Sequence, residues 1–194
     1  MYEQINRYAT RCLPFTNEEL QIFNSLLEPR HVPKKTFLLQ EGEICNFEAY
    51  VVKGCIRNYY IDENGFEVIL QFATEDWWTG DIASFYEQKP SRLFVETIED
   101  CDLLLFNPQT KEELLTRVPK FERVFRLMVQ RSLAATINRL INTISKTAQE
   151  KYLDFIERYP HLPQRVPQHY IAAYLGISPE FLSKVRARLA KKQE

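Results

Sequence analysis

The apolar positions change period twice along the chain. Leu20, Phe23 and Leu27 recur at helical spacing behind Thr16-Asn17-Glu18-Glu19, where Thr16 can cap a helix and Glu19 can close a capping box. That helix is expected to stop near Pro29. From Val32 to about Phe106 the pattern becomes short strands. Phe37-Leu38-Leu39 runs into a turn at Glu41-Gly42-Glu43, and Tyr50-Val51-Val52 into a turn at Lys53-Gly54. Ile56 to Ile61 and Phe66 to Phe72 flank Asp62-Glu63-Asn64-Gly65, a hairpin signal. Val95 to Ile98 and Leu103 to Phe106 complete a region whose strand spacing predicts a small antiparallel barrel or jelly roll.

Helical spacing then returns. Asn107-Pro108 reads as an N-cap and first helical position, opening a short helix through Leu114 and Leu115. Pro119 opens a longer helix, to Ser145, about 40 Å at ~1.5 Å per residue. Leu133, Ile137, Leu140 and Ile144 step by four, three and four, an a/d seam that predicts pairing with a second copy. Phe121, Phe125 and Met128 extend this seam upstream. Thr147 to Glu150 is another capping box, leading a helix with Tyr152, Phe155 and Ile156 on its apolar side. Pro160, Pro163 and Pro167 predict a stiff connection after it.

The stretch from Gln168 to Val185 carries the most specific signal. Ile171 and Leu175 share a face, Ala172 allows a second helix to cross closely, and Gly176 can take the positive φ that ends a helix. Ser178 and Pro179 suit the N-cap and first turn of the next helix, from which Leu182 and Val185 face back. This is the spacing of a DNA-binding helix-turn-helix. Its outward residues include Glu180, Ser183, Lys184, Arg186 and Arg188, with Gln168, His169, Ser178 and Pro179 as further candidate contacts.

Charge sharpens this picture. The net charge is −1, yet residues 164–194 hold six Lys/Arg against two acids, a balance of +4 that leaves −5 on the rest. A basic end on an acidic body suits a segment that approaches phosphates. No apolar run is long enough to span a membrane and no signal pattern opens the chain, so a cytoplasmic location is expected. Cys12, Cys45, Cys55 and Cys101 are scattered without a C-x-x-C pair and read as reduced thiols; with three histidines, no metal centre is expected.

A jelly roll, a long helix and a C-terminal helix-turn-helix, in that order, resemble the Crp–Fnr family of bacterial regulators. The resemblance is carried by Glu41-Gly42-Glu43, Tyr50 to Gly54, Gly80-Asp81 and Gln168 to Val185, whose wording is most similar to members from the Bacteroidetes. It implies an α+β chain: a sensor domain at 1–118 with a cyclic-nucleotide-binding-like barrel, a dimerisation helix at 119–145 and a helix-turn-helix domain at 146–194. It implies a homodimer that places its helices at 179–189 in successive major grooves of double-stranded DNA. A small effector and RNA polymerase are implied as further partners.

The chain departs from the family pattern at both ends. In nucleotide-binding members Gly-Glu holds the ribose and Arg-Ser or Arg-Thr the cyclic phosphate; here Gly80 is followed by the shorter Asp81, and Ser91-Arg92 stand in reversed order. Glu96 adds an acid nearby, and alternation turns Arg92 away from Ser91. Gly80, Asp81, Ser91 and Arg92 are therefore candidate effector contacts, and cyclic AMP is not the expected ligand; no other cofactor is assigned. Trp77-Trp78 read as core or as the lining of a different pocket. The recognition helix opens Ser178-Pro179-Glu180 rather than Ser-Arg-Glu, which removes a guanine-reading Arg and leaves Lys184 in the place of a second. No β-wing of the family's kind is expected after Ala190, so Arg186, Arg188 and the Lys191-Lys192 end are expected to supply phosphate contacts.

Two other functions are weighed. A sensor or adaptor could use its helix-turn-helix on protein rather than DNA. A cupin-type enzyme would need two His and a carboxylate on barrel strands, whereas His31 precedes the first clear strand and His161 and His169 lie beyond the barrel, so no enzyme is expected.

Overall fold

The computed structural model describes residues 1–190. Packing divides the chain into two compact units: Met1–Tyr60 with Gln71–Gln130, and Ile61–Leu70 with the chain from Arg131 onward. The division falls inside the long helix.

The first unit opens with α1 (Tyr2–Thr10) and α2 (Asn17–Ser25). Thr16 and Glu19 form the capping box of α2. Strands β1 (Glu28–Val32), β2 (Phe37–Leu39), β3 (Glu48–Lys53), β4 (Ile56–Ile61), β5 (Glu67–Ala73) and β6 (Trp78–Thr79) follow, then α3 (Ile82–Glu87), β7 (Phe94–Thr97), β8 (Cys101–Phe106) and α4 (Pro108–Arg117). The strands form two four-stranded sheets, β1-β8-β3-β6 and β2-β7-β4-β5. Of the expected barrel or jelly roll, the strands form the double-sheet jelly roll. One sheet ends at the two-residue β6, too short to carry the ladder across to the other sheet.

The continuous apolar runs have a structural cause. Ala49, Val51, Leu103 and Leu105 point between the sheets, while Tyr50, Leu104 and Phe106 point outward into a second core. That core is completed by Ile5 and Ala9 of α1, Phe23 of α2 and Leu114 of α4. A sheet buried on both faces needs no polar alternation. Pro29 does not end α2 but lies within β1, opposite Leu104. An edge strand tolerates a residue that cannot donate to the ladder.

The long helix α5 runs Phe121–Ser145. Its first turns belong to the outer core. Phe121 is fully buried against Phe23 and Phe15, at centroid distances of 4.4 and 4.6 Å. Phe125 is buried, and Met128 packs against the same cluster. These three leave the expected seam, because their apolar faces are already covered within the chain.

Two polar networks pin this unit. The Lys111 ammonium of α4 pairs with Glu48 of β3, donates to the Tyr86 hydroxyl oxygen at 2.7 Å and lies 4.3 Å from the Phe125 ring centroid. Asp76 accepts hydrogen bonds from Tyr50 and from Arg11, which follows α1, the latter at 2.8 Å. Partial burial pushes the Asp76 carboxyl up, but hydrogen bonds from Tyr50, Arg11 and Gln4 outweigh it and hold it below its ordinary value.

In the second unit, α6 (Ala148–Arg158), α7 (Leu162–Arg165), α8 (Gln168–Leu175) and α9 (Pro179–Ala190) follow α5. Thr147 and Glu150 form the capping box of α6. The proline-rich connection is not simply extended: Pro163 sits in the first turn of α7, where its missing N–H costs nothing. Arg139 of α5 donates to the carbonyls of Tyr174 at 3.0 Å and Ile69 at 2.6 Å, and its guanidinium lies 4.2 Å from the Tyr174 ring centroid. Burial holds this guanidinium below its ordinary value, against the pull of Tyr174 and Tyr159. No helix among the described residues is long and apolar enough to cross a membrane.

Candidate nucleic-acid interface and effector site

Helix α8 ends at Gly176, whose φ of +67° and ψ of 38° make the left-handed cap. The Ser178 hydroxyl accepts from the Phe181 N–H at 3.2 Å, so it caps α9. Ile171, Ala172 and Leu175 of α8 and Leu182 and Val185 of α9 are all buried. Each large apolar side chain so buried contributes about 1.5–3 kcal/mol, which fixes the crossing of two short helices.

This packing decides what faces outward. Ser178, Pro179, Glu180, Ser183, Lys184, Arg186 and Arg188 are exposed, as is His169 at the start of α8. The backbone N–H of Glu180, the Ser178 hydroxyl and Lys184 hold the Glu180 carboxyl below its ordinary range, so it is a hydrogen-bond acceptor at neutral pH. Gln168 is half-buried and turns its amide N–H₂ to the Pro163 carbonyl at 3.3 Å, so that donor is engaged inside the domain. Phe181, absent from the candidates read above, is 45% exposed in the same turn as Glu180. Lys191 and Lys192 lie outside the described residues.

Along α5, Leu133, Ile137, Leu140 and Ile144 are 58%, 48%, 58% and 77% exposed, a continuous apolar stripe. Val129 and Ile141, also exposed, widen it.

In the jelly roll, the candidate effector residues only partly converge. Gly80 has φ +146°, and a Cβ there would stand 2.9 Å from the Phe47 carbonyl oxygen, which leaves glycine as the residue that fits. Asp81 caps α3, accepting from Ala83 and Ser84 N–H at 3.0 and 3.2 Å. Ser91 donates to the other Asp81 oxygen at 2.7 Å. Arg92 is exposed while Ser91 is buried. The reversed pair therefore brings its hydroxyl, and not its cation, to Gly80-Asp81.

The acid noticed in this segment has a partner that sequence reasoning missed. Arg57 lies opposite Glu96 in the β4–β7 ladder and bonds it through Nε at 2.9 Å and a terminal nitrogen at 2.6 Å, with the guanidinium 4.0 Å from the Tyr59 ring centroid. Their positions are 39 apart, and only the register joins them. His31 likewise lies in β1, not before it, and meets Asp102 at 2.8 Å.

The chain thus combines a double-sheet domain with a helix-turn-helix whose outer face is basic. Residues 29–118 match the cyclic nucleotide-binding domain. The chain is 25% identical over 145 residues to the cAMP-activated global transcriptional regulator CRP of Escherichia coli O6:H1, covering 75% of this chain and 66% of that one. It is 26% identical over 196 residues to the anaerobic regulatory protein of Haemophilus influenzae, covering 93% and 75%. Its fold matches the c-di-GMP responsive global regulator CLP of Xanthomonas campestris with TM-score 0.76 at 15% identity, over 92% and 93%. In sequence the chain is thus similar to regulators of the Crp–Fnr type, and it shares their fold. These relatives are regulators of gene expression and not enzymes.

Proposed function

We propose that the protein is a homodimeric, sequence-specific DNA-binding regulator that lays α9 in the major groove. The observation that carries this reading is the division of α9: Leu182 and Val185 are buried on α8, while Glu180, Ser183, Lys184, Arg186 and Arg188 are exposed. Lys184 suits guanine O6 and N7, the anionic Glu180 suits the cytosine amino group, and Arg186 and Arg188 suit phosphates. The exposed stripe Leu133–Ile144 supports pairing of two copies through α5. A pair of copies would read a palindrome with half-sites ~34 Å apart.

Selection from random duplexes, read by fluorescence anisotropy, is expected to enrich such a palindrome. With roughly four to eight phosphates neutralised by two copies, the slope of log affinity against log salt is expected near −4 to −7. Weak, uniform binding without an enriched site would refute the reading.

The jelly roll is the proposed place of a small effector, with RNA polymerase as the partner for output. Cyclic AMP is not the effector that the residues favour. A cyclic phosphate needs a cation or aligned donors, whereas the Asp81 carboxylate is taken by Ser91 and the first turn of α3, Arg92 is exposed while Ser91 is buried, and Arg57 is bound to Glu96. Adding cyclic AMP is expected to leave the DNA-binding midpoint unchanged within about twofold. A tenfold shift would return the phosphate role to Arg92 or Arg57.

A further inference from the structure

Phe181 lies outside the buried face that holds α9 on α8. The inner face of the helix is supplied by Leu182 and Val185, both nearly inaccessible, while the Phe181 ring is 45% exposed. At 100° per residue it lies about 100° from Leu182, on the flank that also carries Lys184 three residues on and Arg188 seven residues on. It belongs to the first turn, next to Glu180, and the first turn is the part of a recognition helix that reaches base edges.

A lone exposed aromatic is ordinary on a protein surface. This one stands among charged and hydroxyl side chains suited to a polyanion, on the face that would enter the groove. A phenyl ring there can neither donate nor accept, so it would leave a polar base edge without its hydration and unpaired. The major groove offers one apolar feature, the 5-methyl group of thymine.

We propose that Phe181 reads the 5-methyl group of one thymine in each half-site. The inference rests on the DNA-binding reading above and adds a specificity determinant to it. The rest of the face does different work: Lys184 and Glu180 take polar edges, and Phe181 takes the methyl group. Removing one methyl from each half-site forfeits a small apolar contact twice, an expected loss of about 3–4-fold per half-site and about tenfold for the palindrome.

The test uses the full chain and the palindrome that it selects. Each thymine pair related by the two-fold axis is replaced in turn by deoxyuridine, which lacks only the methyl group, and affinity is read by anisotropy. With the parent chain, one symmetric pair is expected to cost about tenfold. With Phe181→Ala, its fold checked by an unchanged far-ultraviolet dichroism spectrum, the same replacement is expected to cost less than twofold, while binding to the unmodified site persists at reduced strength. A parent chain that binds the palindrome but responds equally to every replacement, or a Phe181→Ala chain that keeps the tenfold response, would overturn the assignment while leaving the DNA reading intact. Failure of the parent to bind any duplex would remove both.

Discussion

A chain carrying Ile137→Glu and Leu140→Glu is expected to sediment as a single copy at concentrations at which the parent is paired. Its affinity for the selected palindrome should fall by about 100-fold or more. Both side chains are about half exposed, at 48% and 58%, so the substitutions leave the fold of one copy undisturbed. In a paired seam they would place four carboxylates in apolar contact without partners, which opposes association strongly. A single copy engages one half-site at a time and loses the 10²- to 10⁴-fold gain of two linked contacts. Sedimentation velocity and anisotropy read the two effects, and the far-ultraviolet dichroism spectrum should not change. A double variant that still pairs, or a parent that never does, would dismiss the stripe on α5 as an interface.

The second large effect is on stability. Lys111→Met is expected to destabilise the first unit by about 3–5 kcal/mol, since it strands the Glu48 carboxylate in the interior. The paired side chains are only 5% and 10% exposed, and the ammonium also meets Tyr86 and the Phe125 ring. For a chain of this length the loss corresponds to roughly 6–20 °C in the melting midpoint. Adding Glu48→Gln to Lys111→Met removes the stranded charge, so most of the loss should return. Equal melting midpoints for parent and Lys111→Met would dismiss the pair as a surface contact.

The parts of the candidate site legible in the chain are those whose causes are local. The caps at Thr16, Asn107 and Thr147 each depend on a residue three positions away, and each forms as read. The turn at Gly176 and the inward Leu182 and Val185 depend on spacing within two short helices, and they too form as read. The division of roles between Ser91 and Arg92 was legible for the same reason: adjacent residues point apart.

The misreadings share a different cause. Periodicity marks a side chain as apolar without saying what covers it. Phe121, Phe125 and Met128 continue the pattern of Leu133 to Ile144, yet they meet Phe15, Phe23 and the outer face of β3 and β8. Strand β1 was missed because Pro29 reads as a breaker, and an edge position removes that objection.

By itself, the sequence determined most of the strands, the capped helices, the helix-turn-helix and its basic outer face, because caps, turns and amphipathic spacing act over a few residues. Only the tertiary structure decided which charges neutralise one another and which apolar surface remains uncovered. Arg57 and Glu96 lie 39 positions apart, and Lys111 and Glu48 lie 63 apart. Such pairs come from sheet register and helix packing, which join distant segments by burying area and leave no local pattern in the chain.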